Sequence, residues 1–121
     1  MSGARETIFR VQDAGGRGPW KPGFSPQWVD LARSEWPPPI YDELNIHPHH
    51  LGRLVPIGMN AGCGCWTMEG LRRWFSRAEL RRLSRHGYSV VRVVPDKILA
   101  ETPTQVLFGC FKPLSDIAGP S

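Results

Sequence analysis

Several groups of side chains in this 121-residue sequence have chemistry available to them. Arg10 stands inside an alternating stretch, Glu6 to Gln12, where it shares a face with Ile8 and Gln12 while Thr7, Phe9 and Val11 share the other. An arginine there lies at a sheet margin, in solvent or against an anion, and solvent is the first reading. The loop that follows, Asp13 to Trp20, contains Gly15, Gly16, Arg17 and Gly18, so its backbone can approach a phosphate closely. It lacks the Lys-Ser/Thr ending of a P-loop, and no apolar helix follows a G-x-G-x-x-G pattern, so ordinary turns explain it too. His47, His49 and His50 with Cys63, Cys65 and Cys110 are the residue types that bind zinc. Cys-x-Cys is tighter than a zinc knuckle, however, and His-Pro-His-His is not a helical pair, which argues against zinc. Cys63 and Cys65 also precede a helix whose N-terminus would lower a thiol pKa, although a nucleophile needs a base nearby as well.

The elements that must position these groups are clearest between Cys63 and Phe111, which reads as a Cys-Gly-Cys turn, a helical region and two strands. Thr67 is placed to cap a helix over 67–75, and Leu71, Trp74, Phe75 and Ala78 recur at helical spacing. Ser76-Arg77-Ala78-Glu79 has the form of a capping box, so the helix kinks or restarts at Ser76 and runs to Gly87. Tyr88 to Val94 and Gln105 to Phe111 are apolar on both alternating faces, as in strands covered on both sides. Upstream, Ser25-Pro26 opens a helix reaching Trp36, with a stripe of Trp28, Leu31 and Ala32, and Pro37, Pro38 and Pro39 end it. No period survives from Ile40 to Met59, the kind of long connection that often forms a binding loop.

The expected architecture is therefore α+β: a single small domain over 1–121, a mixed sheet with the kinked helix packed on it, and a loop-rich N-terminal half. Residues 1–5 and 114–121 are expected to be flexible tails. Five tryptophans and five phenylalanines exclude wholesale disorder. An odd cysteine count of three, no signal-peptide pattern and no membrane-length apolar run point to a cytoplasmic protein with reduced thiols and no membrane partner. The net charge is only +4, yet Arg72, Arg73, Arg77, Arg81, Arg82 and Arg85 cluster in the helical region. Such clustering attracts nucleic acid or an acidic protein surface, and equally suits a solvated helix face.

Phe9-Arg10-Val11 with Gly16-Arg17-Gly18-Pro19-Trp20, then Thr67 to Leu71 with Trp74-Phe75, and finally Gln105 to Phe108 make the chain resemble small proteins of phages and mobile elements. More distantly the layout resembles ADP-ribosyltransferase-like domains. Those carry an Arg or His on an early strand against NAD, a hydroxyl residue where a strand meets a helix, and an acidic or polar residue opening a late strand. The resemblance implies NAD as cofactor, Arg10, Arg17, Gly18 and Trp20 as its contacts, and Thr67 and Gln105 as catalytic counterparts. Gln105 stands where an active transferase usually has glutamate, and an amide lacks the charge that stabilises an oxocarbenium-like centre. The function so implied is action on a host protein target. The alternative is a non-enzymatic anti-defence inhibitor of the anti-CRISPR type, which blocks a host complex with Trp and Arg anchors. The enzyme reading requires Arg10, Thr67 and Gln105 to share one cleft; the inhibitor reading requires Trp20, Trp28 or Trp36 to form an exposed patch with the arginine face.

Overall fold

The computed structural model describes residues 7–20, 24–30, 40–47, 50 and 52–120. The chain begins with strand β1 (Ile8–Gln12), followed by two short helices, α1 (Ser25–Trp28) and α2 (Ile40–Glu43), and a 3-10 turn over Gly52–Leu54. Strand β2 (Asn60–Gly64) leads to α3 (Met68–Trp74) and α4 (Arg77–Arg85). Strands β3 (Ser89–Val93), β4 (Lys97–Glu101) and β5 (Val106–Cys110) follow, then α5 (Leu114–Ile117) and β6 (Ala118–Pro120). The fold is α+β, as its patterning implies. In place of one mixed sheet there are two three-stranded sheets, ordered β1-β3-β6 and β2-β5-β4, with every pairing antiparallel.

The two sheets meet where Phe9 and Cys65 exchange backbone hydrogen bonds, Phe9 N donating at 2.7 Å and Cys65 N at 2.8 Å. Glycine is required beside that bridge, because a Cβ on Gly64 would lie 2.6 Å from the Phe9 carbonyl oxygen. This close approach explains why β2 is a strand although its sequence reads as a turn: Gly62 and Gly64 have poor intrinsic β preference, and tertiary packing supplies what propensity does not. Strand β4 likewise replaces an expected loop, pairing with β5 through an irregularity between Ile98 and Ala100.

One core cluster joins Val11, Trp28, Cys65, Leu71, Phe75, Leu83 and Tyr88, so the helices pack on the Phe9–Val11 face of β1. The other joins Ile8, Val93, Val106, Phe108 and Cys110. Strand β5 is buried along its whole length, in keeping with its apolar alternation on both faces.

The helical region follows its local code. Thr67 accepts from Gly70 N at 2.9 Å and caps α3; Ser76 and Glu79 form the expected capping box at the start of α4. Upstream, α1 stops at Trp28 and does not continue through Asp30. Val29 is extended, with φ −67° and ψ 139°. Tertiary bonds take over the helical groups: Arg82 Nη1 donates to the Trp28 carbonyl at 2.7 Å, and Asp30 N donates to Glu79 Oε2 at 2.9 Å. Leu31, Ala32, Trp36 and the three prolines lie outside the described residues, as do the expected N-terminal tail and Ser121. The segment from Leu114, expected as a tail, instead forms α5 and then β6, which pairs with β3.

Candidate functional site

A cavity of about 300 Å³ opens where the two sheets separate. Its residues come from distant parts of the chain: Arg10 and Val11 of β1, Gly18, Pro19 and Trp20 of the glycine-rich loop, Cys63 to Cys65, then Leu71, Trp74 and Phe75 at α3, and Gln105 before β5. Strand register accounts for the convergence. Pairing Cys63 with Leu107 and Gly64 with Val106 carries Gln105 to the level of Cys65, and Cys65 is bridged to Phe9, the neighbour of Arg10.

Arg10 is only 8 % exposed, which corrects the solvent reading. Its face of β1 turns toward the second sheet, with the guanidinium 6.0 Å from the centre of the Phe108 ring. Nε donates to Gln12 Oε1 at 2.8 Å, Nη1 to the Cys63 carbonyl at 2.9 Å and Nη2 to the Gly16 carbonyl at 2.9 Å. All three acceptors are neutral. A guanidinium has five N–H donors, so two remain without a hydrogen-bond partner among the described residues. Burial lowers the Arg10 pKa, against the upward pull of Cys63, Asp13 and Cys110, and arginine remains a cation.

The loop holds its shape through Asp13, whose Oδ1 accepts from Gly15 N and Arg17 N, both at 2.9 Å. Gly16 has φ +81°, and a Cβ there would lie 2.8 Å from Ser115 N, so this glycine both turns the loop and lets it rest on α5. The turn delivers the Gly16 carbonyl to Arg10 and leaves Arg17 exposed. Trp20 is 40 % exposed and stands edge-on to Trp28 with ring centres 4.7 Å apart. Trp28 itself is fully buried, and its Nε1 donates to the Pro19 carbonyl at 3.2 Å.

Gln105 is held from outside the cavity by Glu43, a residue that no periodicity or motif singles out. Glu43 Oε1 accepts from Thr102 Oγ1 at 2.8 Å, Thr104 Oγ1 at 2.6 Å and Gln105 Nε2 at 2.6 Å. Burial pushes the Glu43 carboxyl up, but the hydrogen bonds from Thr104, Gln105 and Thr102 outweigh it and hold the group below the ordinary glutamate range. The Thr104 carbonyl in turn accepts from Trp74 Nε1 at 3.2 Å and Cys65 Sγ at 3.6 Å.

Arg10, Gly18, Trp20 and Gln105 thus meet at one cavity. Thr67 and Arg17 are not among its lining residues: both are exposed, and the Thr67 hydroxyl caps α3. The thiols are not activated. Burial, with Cys63 and Glu43 adding to it, pushes Cys65 up to about 12, and burial raises Cys63 despite the opposing pull of Arg10. Position ahead of a helix therefore does not lower either pKa. Cys110 is raised as well, mainly by burial. The rings of His47 and His50 are 6.0 Å apart, and His49 lies outside the described residues. Among the described residues no three His, Cys, Asp or Glu side chains gather as a metal site, and no helix is long and apolar enough to cross a membrane.

Arg72, Arg73, Arg77, Arg81 and Arg85 are exposed along α3 and α4, while Arg82 turns partly inward to the Trp28 carbonyl. Of the tryptophans expected beside this face, Trp20 is partly exposed, Trp28 is buried and Trp36 lies outside the described residues.

A protein-family model described as Bacteriophage T4 Y00F protein matches residues 1–113. No curated protein and no solved structure matches the chain.

Proposed function

The chain belongs to the Bacteriophage T4 Y00F protein family, and from that premise we propose that it is a phage protein acting on a host protein in the cytoplasm through an ADP-ribosyltransferase-like cavity that binds NAD. The observation that carries this reading is the convergence of Arg10, from the first strand, and Gln105, immediately before the fifth, on a cavity walled by Trp20, Trp74 and Phe75. That combination suits a nucleotide. Aromatic rings take a planar base, an arginine with two N–H donors unengaged among the described residues takes a phosphate or ribose oxygen, and the amide takes a ribose hydroxyl. A volume of about 300 Å³ suits one end of the dinucleotide, with the remainder passing out beside the partly exposed Trp20.

NAD should raise the melting temperature of the wild-type protein. A ligand at a hundred times its dissociation constant stabilises by about 2.7 kcal/mol, several degrees for a chain of this size. Trp20→Ala, at a partly exposed position, should fold normally and lose most of that shift. An equal shift in wild type and variant would place the ligand elsewhere, and no shift in wild type would set NAD aside.

The inhibitor reading draws on the exposure of Trp20 together with the outward arginines of α3 and α4. In that case a host complex would be captured without NAD, and Arg77→Glu with Arg81→Glu would release it. Capture unaffected by these charge reversals would count against that face.

A further inference from the structure

Glu43 reaches the candidate site from the end of α2, and the three side chains that donate to its Oε1 lie 59 to 62 residues further along the chain. Two of them, Thr102 and Thr104, belong to the turn before β5, and the third is Gln105 itself. The backbone of that turn is already fixed without the carboxylate. Thr102 N donates to the Gln105 carbonyl at 2.9 Å, Gln105 N to Thr102 Oγ1 at 3.0 Å, and Trp74 holds the Thr104 carbonyl. What Glu43 adds is direction for the Gln105 side chain. A glutamine amide has a donor end and an acceptor end of nearly equal size. Reversing it here would set an amide oxygen against a carboxylate oxygen at 2.6 Å, a repulsion in place of a charge-assisted bond.

We infer that Glu43 is a positioning residue for Gln105: it commits the amide nitrogen to the carboxylate, so that a ligand in the cavity meets Gln105 as an acceptor for a hydroxyl, such as that of a ribose. Glu43 is not among the residues lining the cavity, so it acts through Gln105 and not by touching the ligand. The inference rests on the NAD reading above.

Calorimetric titration of NAD into the full-length protein tests it, with Glu43→Ala, Glu43→Gln, Gln105→Ala and the Glu43→Ala/Gln105→Ala double variant, each checked for folding by thermal melting. Glu43→Ala should weaken binding about tenfold, the worth of one oriented hydrogen bond. Glu43→Gln keeps an oxygen that can accept from Gln105 Nε2 and should recover part of the loss. The double variant should bind no more weakly than Gln105→Ala, because the two residues act as one unit. The inference is overturned if Glu43→Ala lowers the melting temperature but leaves affinity intact, or if the two single losses multiply in the double variant. If wild-type protein does not bind NAD at all, the proposed function falls and takes this inference with it, an outcome separate from wild-type binding that ignores Glu43.

Discussion

Arg10 holds three neutral acceptors from separate segments, so its contribution is to stability as well as to the cavity. Arg10→Met should cost about 2–3 kcal/mol in chemical denaturation, because the carbonyls of Gly16 and Cys63 and the Gln12 amide lose a charged donor. A cost under about 0.5 kcal/mol would mean that water satisfies those acceptors and the site is more open than described. Alternation in the sequence places Arg10 on a strand and on the face of Ile8 and Gln12, but cannot say what that face meets. The answer comes from β2 and β5, fifty and more residues later. Glu43 is less legible still, since its partners are three hydroxyl and amide groups with no local pattern linking them to residue 43. Its lowered pKa carries a sign. The folded state gives up this proton more readily than the unfolded chain, so the stabilisation is present at neutral pH and is lost as pH falls through the lowered value. Melting temperatures of wild type and Glu43→Gln should therefore differ at about pH 7 and draw together in acid, below the ordinary glutamate range. A gap that widens in acid would contradict the assignment.

Helices α3 and α4 show how far local code reaches. Thr67, Ser76 and Glu79 announce their caps in sequence because each satisfies backbone donors within three residues. What the code does not announce is the second use of Glu79, whose Oε2 accepts from Asp30 N and ties α1 to α4. Ser76→Ala should accordingly cost about 1 kcal/mol, the usual worth of a cap. Glu79→Ala, at a position only 1 % exposed, should cost more, about 2–3 kcal/mol, because it also removes the carboxylate that accepts from the part-buried Asp30 N. Equal losses in urea titrations would mean that the Asp30 contact contributes nothing. The strands divide in the same way. β1 alternates and β3 and β5 carry apolar runs, so all three are evident from sequence, whereas β2 contains two glycines, and the Phe9–Cys65 bridge lies beside the second. Gly64→Ala should disturb that bridge and destabilise the whole chain, since the added methyl has backbone on one side and Ile8 on the other.

For the molecule as a whole, two small sheets joined, among the described residues, at the Phe9–Cys65 backbone bridge leave a wedge between them, and the cavity occupies that wedge. Its polar groups arrive from opposite ends of the chain, so no short motif could have displayed the site. The pairing of Arg10 with Gln105 came from resemblance, and their meeting depends on strand register. Cys63 and Cys65 belong to the same wall, and Cys65, buried and pushed up to about 12, should react far more slowly with a thiol reagent in the native protein than in the unfolded chain. Calorimetric titration of NAD into wild-type protein beside Trp20→Ala decides whether the cavity is a nucleotide site. Wild-type protein should bind NAD with a dissociation constant on the order of micromolar, about −8 kcal/mol, weakened at least tenfold in the variant. No heat of binding at about millimolar NAD, equivalent to an affinity weaker than about −4 kcal/mol, would contradict it.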